Sequence, residues 1–262
     1  MEKKILYLLT CVGLCWSSCT NEVDEFIGNV EPSTRSVSTA LNANLASLFT
    51  GGAPTLTSAE IKEVNDAYAK MTSINCYRNI DEAVRNKTSY AGTIFLDDTY
   101  ASAYFRKGSL AFPPYGILAS SMEHEFIHMY QRDVQGKKVD TDKEKRDTGM
   151  MEFELAFYQG IIRYIHAGYS WTFKGEDGDP SYQSLWTSGL TDPSLIPQYG
   201  REFQTYVASI CANGKPTSID INEFVKWSNI FGEYSRGYSG KGYKFGNYDY
   251  GTSCINSLLK LY

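Results

Sequence analysis

Ile61, Val64, Ala67, Tyr68 and Met71 recur at intervals of three and four, with polar and charged residues between them. That period lays one apolar stripe along a helix, so it predicts a helix over 58–72 with a single face to bury. Thr57 with Glu60 three positions on forms a capping box, in which each side chain satisfies an amide at the helix start. The same period predicts short helices at 41–49, before Gly51-Gly52-Ala53-Pro54, and at 80–86. It returns over 148–167, ended by Gly168, and over 193–212, with Tyr199, Phe203, Tyr206, Val207 and Ile210 inward. A further helix, capped by Ser218, runs through Phe224, Val225, Trp227, Ile230 and Phe231, and a last one covers 252–261. Between Gly92 and Pro113 the period changes. The run 93–96 is short, apolar and β-rich, and 102–105 with 109–112 flank Arg106-Lys107-Gly108 as the arms of a hairpin. The chain therefore reads as α+β: mainly helical, with a small antiparallel sheet ahead of its central helix.

No Pro or Gly interrupts the run 117–135, which reads as the central helix until a polar, charged connection at 133–147 takes over; Leu118, Met122, Phe126 and Met129 form its apolar stripe. Away from the stripe lie His124 and His128, two of the three histidines in the chain, within His124-Glu125-Phe126-Ile127-His128. Four residues are a little over one helical turn, so the two imidazoles stand one above the other at the spacing that lets them share a metal ion. Glu125 points to the side of that pair, where a carboxylate can take a proton from a water on the metal without occupying a coordination position. His-Glu-x-x-His on a helix is the arrangement used by zinc metallopeptidases. A strand exposed beside such a site can accept an extended peptide as one more strand; a plain structural hairpin is the other reading of 102–112.

A third ligand is expected on the helix 148–167. On its wheel Thr148, Glu152, Gln159, Arg163 and His166 share a polar face, while Glu154 falls among Met150, Phe157, Ile161 and Ile165. A carboxylate on an apolar face is costly unless something neutralises it, and a metal ion is one such partner. Glu154 is thus the preferred third ligand and Glu152 the second choice. Tyr158 and His166 are candidate transition-state donors, although a lone histidine near a helix end also fits a solvated residue favoured by the helix dipole. The loop 175–179 has the look of part of a calcium loop without its last carboxylate, and reads as a solvated turn. The segment 232–251 is rich in Gly and Tyr. It supplies either a phenol for a developing oxyanion or, for most of its rings, packing against the last helix.

His124, Glu125 and His128, followed by a helix bearing Glu152 and Glu154, resemble the gluzincin branch of the zincin-like metallopeptidases over about 92–168. The resemblance implies Zn2+ held by His124, His128 and Glu154 or Glu152, with Glu125 as general base and a peptide or protein as substrate. The family often places Asp or Asn four residues after the ligand glutamate, to orient a histidine. Here those positions hold Ala156 and Tyr158, so that support has to come from elsewhere.

The amino terminus sets the compartment. Met1-Glu2-Lys3-Lys4 and the apolar run 5–16 resemble a signal peptide, and Trp16-Ser17-Ser18-Cys19 resembles the lipobox of a bacterial lipoprotein, with Trp16 where an aliphatic residue is usual. On this reading 1–18 is removed and Cys19 is lipidated. Residues 19–41 form a flexible tether, and 42–262 the metallopeptidase domain, with a metal-site core at 92–168 and a helical part at 169–262. The chain would then lie in the cell envelope, on the outer membrane or cell surface, touching the membrane only through its lipid. An ordinary secretory signal is the alternative. Loss of 1–18 moves the net charge from −5 to −6, and no basic cluster is present to track a phosphate backbone, which argues against nucleic acid. Cys76, Cys211 and Cys254 remain, an odd number that permits at most one disulfide. The expected function is zinc-dependent peptide hydrolysis; the alternatives are an inactive zinc-binding or peptide- or glycan-binding surface lipoprotein, and a purely structural envelope lipoprotein.

Overall fold

The computed structural model describes residues 40–137, 146–166, 173–174, 180–181, 191–211, 214–235 and 238–262. The expected signal peptide, Cys19, the expected tether as far as residue 39 and the loop 175–179 lie outside these residues. The chain divides into two compact units, one ending at Val134 and the other beginning at Gln135, and the expected core at 92–168 runs across that division. No described helix is long and apolar enough to cross a membrane.

The first unit holds α1 (Ala43–Leu48), α2 (Ser58–Ser73), α3 (Asn75–Lys87), β1 (Ile94–Leu96), β2 (Tyr104–Arg106), β3 (Ser109–Phe112) and α4 (Ala119–Met129). The capping box is present: Thr57 accepts from the Glu60 amide, and Glu60 accepts from the Thr57 amide at 2.6 Å. Val64, Ala67, Tyr68 and Met71 are buried, as their spacing predicts, and the Tyr68 ring lies 6.1 Å from that of Phe126 on α4. Helix α3 is longer than 80–86 because Cys76, Tyr77, Ile80 and Val84 give it a buried face from its first turn. Its one buried carboxylate, Asp81, is tolerated because the Tyr68 hydroxyl donates to it at 2.8 Å and the Arg85 guanidinium at 2.8 and 2.9 Å. Burial, then Asp81, pushes the Tyr68 phenol pKa up.

The sheet is mixed, not antiparallel. Strands β2 and β3 form the expected hairpin, turning through Lys107 and Gly108, both with positive φ as the right-handed twist of a tight hairpin demands. Strand β1 runs parallel to β3, and the order is β1-β3-β2. Leu110, Ala111 and Phe112 are fully buried, whereas β1 and β2 are only partly so. The most deeply buried run is thus the central one, hydrogen-bonded along both of its edges, and the two strands flanking it are not neighbours of each other.

The second unit holds α5 (Arg146–His166), β4 (Phe173–Lys174), β5 (Pro180–Ser181), α6 (Ile196–Ile210), α7 (Ile221–Tyr234) and α8 (Ser253–Leu259). Helix α5 is buried on almost every side. Phe153 packs on Phe224 and Phe231 with ring centroids 5.0 and 5.5 Å away, and Phe157 packs on Phe203 at 5.2 Å. The cap of α7 is Asp220 and not Ser218: its carboxylate accepts from the Asn222 amide at 2.8 Å. The Gly-rich segment also differs from expectation. Its rings pack mainly on α7, with Tyr238 and Phe245 against Phe231 at 5.0 and 5.5 Å and Tyr250 stacked on Phe224, because α7 offers the wider aromatic face. Cys76, Cys211 and Cys254 are buried and form no disulfide.

Candidate metal centre

Met122, Phe126 and Met129 are fully buried and hold α4 against the rest of the first unit. Their stripe turns His124 and His128 to a half-buried face, with the two Nε2 atoms 3.1 Å apart and the rings inclined at 81°. Two nitrogens bound to one tetrahedral zinc at ligand distances of about 2.0–2.1 Å stand roughly 3.3 Å apart, so the imidazoles have the spacing that such an ion requires. Glu125 is buried, with Oε1 4.0 Å from His124 Nε2. It reaches the neighbourhood of the paired nitrogens from the side, as the motif predicts.

Helix α4 ends its regular α-helical course at Met129. After Met129 it widens into a π-helical turn, Tyr130–Val134, a feature often found at functional sites. The turn brings in Gln131, marked in the sequence only by its three-residue distance from His128. Gln131 is fully buried, and its Oε1 lies 2.9 Å from His128 Nδ1. Asp133 closes the turn by accepting from the Tyr90 hydroxyl and from Arg132 Nε at 2.9 Å, and Arg132 lies over the Phe105 ring at 4.3 Å.

In the second unit the two glutamates on α5 have different surroundings. Glu154 is buried, as its place on the wheel predicts, but its Oε2 accepts from the Tyr250 hydroxyl at 2.9 Å inside the unit. Burial, and then Glu154, pushes the neighbouring Cys254 thiol pKa far up, so the thiol stays protonated. Lys137 donates to the Tyr250 carbonyl at 2.9 Å and stands over the same ring at 3.8 Å. Glu152 is half-buried, and Tyr238 donates to its Oε2 at 2.6 Å. Burial, with Glu152 second, also raises the pKa of Tyr243. Nothing local in the sequence marks Tyr238, which stands 86 positions from Glu152.

The remaining candidates differ in access. Tyr158 is fully buried in the second unit, while His166 is exposed, its ring 6.1 Å from that of Tyr262. Gln159, expected on the polar face of α5, is buried. His124 and His128 in the first unit and Glu152 in the second are each half-buried, and each can offer one ligand atom to a metal ion. Comparison with family models, curated proteins and solved structures finds no match to this chain.

Proposed function

We propose that the protein is a zinc-dependent peptidase in which His124, His128 and Glu152 hold the metal and Glu125 is the general base. The observation that carries this reading is the pair of Nε2 atoms 3.1 Å apart with the Glu125 carboxylate at their side. Glu152 replaces Glu154 as the third ligand. Glu154 is fully buried and accepts from Tyr250, whereas Glu152 is half-buried and accepts from Tyr238 through Oε2. When bound, zinc supplies Lewis acidity, lowering the pKa of a water and polarising a carbonyl. Glu125 accepts the proton of the attacking water and returns it to the leaving amine, which a carboxylate shielded from bulk solvent does well. The lipobox-like Trp16-Ser17-Ser18-Cys19 supports export and lipid anchoring in the cell envelope, which leaves peptides or proteins outside the cytoplasm as substrates.

The test is elemental analysis of the purified chain beside His128→Ala, Glu152→Ala and Glu154→Ala, followed by a peptide-cleavage screen. About one zinc per chain, lost in His128→Ala and Glu152→Ala and kept in Glu154→Ala, is the expected result. No zinc after reconstitution would sink the proposal. A second reading, an inactive zinc-binding surface protein that grips peptide or glycan, draws support from the exposed rings of Tyr100 and Tyr115. Peptide or glycan binding without cleavage by zinc-loaded protein would favour it.

A further inference from the structure

The family resemblance leaves the histidines without their usual orienting partner, because Ala156 and Tyr158 stand where Asp or Asn is common. We propose that Gln131 is a positioning residue for His128. The inference rests on the metal reading above but concerns a different side chain. An amide oxygen can only accept, so its 2.9 Å contact requires His128 Nδ1 to carry the proton. The tautomer is thereby fixed with the lone pair on Nε2, the nitrogen that faces His124. Without such a bond an imidazole can turn about its side-chain axis and offer either nitrogen; with it, only Nε2 is available to a cation.

Two features make the bond a lasting one. Gln131 is fully buried, so water does not compete for its oxygen. Its turn is also held on the far side, where Asp133 accepts from Tyr90 and Arg132 lies on Phe105. The π-helical turn thus acts as a bracket. It departs from the regular α-helix directly after the second histidine and returns a polar side chain from the same segment to that histidine's outer nitrogen. Donation of Nδ1–H to an acceptor also raises the basicity of the ligating nitrogen, and loss of such a partner typically costs 10- to 100-fold in metal affinity.

The experiment measures zinc affinity of the purified chain by competition with a chromophoric chelator, together with the melting temperature of the metal-free protein. Gln131→Met keeps the length and buried character of the side chain and removes the acceptor. Its zinc Kd should rise 10- to 100-fold, and its cobalt-substituted form should show shifted visible bands. A lower melting temperature with a Kd within twofold of wild type would mean that Gln131 only packs, and would overturn the proposal. Gln131→Glu retains an acceptor and should bind zinc at least as tightly as wild type; a tenfold loss there would overturn it too, and this variant carries the test alone if Gln131→Met does not fold. Wild-type protein that takes up no zinc would remove the metal reading itself. One zinc in wild type, with unchanged affinity in Gln131→Met, would remove only the role of Gln131.

Discussion

Glu125, Glu152 and Glu154 are chemically alike, and on the proposed reading they have three different tasks. Glu125 is buried beside His124 Nε2 and holds no place among the ligands. Glu125→Gln should therefore keep its zinc and lose about 10²- to 10⁴-fold in kcat, the usual contribution of a positioned general base; metal content and turnover of one preparation check both halves. Glu154 is a structural carboxylate, taking the Tyr250 hydroxyl and facing Cys254. Its replacement by Ala should retain zinc but destabilise the fold by about 1–3 kcal/mol, because buried donors lose their acceptor. Glu152→Ala should do the reverse, releasing zinc with little change in the denaturation midpoint of the metal-free protein. Zinc analysis and urea melts of the two variants, side by side, separate the roles.

Among the elements, α2 and α7 show how far local rules reach. The start of α2 is settled by four consecutive residues, since both capping-box bonds form within Thr57–Glu60, and the sequence displays it completely. Helix α7 is governed from outside. Gly232 lies in its last turn, where replacing Gly by Ala ordinarily gains at most about 1 kcal/mol of helix propensity. Here a Cβ would come 2.2 Å from Phe245 Cδ2 and 2.9 Å from its Cβ. Because the obstacle is the root of a packed ring and cannot swing aside, overpacking should exceed the propensity gain. Gly232→Ala is expected to lower stability by about 1–3 kcal/mol, read as a fall in the urea midpoint. The sheet teaches the same lesson: the hairpin of β2 and β3 is legible in Arg106-Lys107-Gly108, while the parallel pairing of β1 with β3 joins segments that no tight turn connects and is not written in either of them.

For the whole molecule, a ligand that binds only the folded chain raises stability by mass action. Zinc at about a thousandfold over its Kd should add about 4 kcal/mol, so the melting temperature should rise on zinc addition and fall again with a chelator; an unchanged melt would count against a folded-state metal site. Cys76, Cys211 and Cys254 should not mediate that effect. All three are buried, and burial pushes the Cys211 thiol up to about 11, which leaves little thiolate at neutral pH. Features that depend on near neighbours are legible along the chain. Four-residue spacing aligns His124 with His128, the stripe of Met122, Phe126 and Met129 turns them off the core, and Glu125 follows beside them. Tertiary structure decided what depends on distant residues. The wheel of α5 could not rank Glu152 against Glu154, since that helix is buried nearly all round and polarity no longer marks its exposed side. The contrast came from Tyr238 and Tyr250, far along the chain, which meet the two carboxylates only once α7 and the Gly-rich segment have folded against α5.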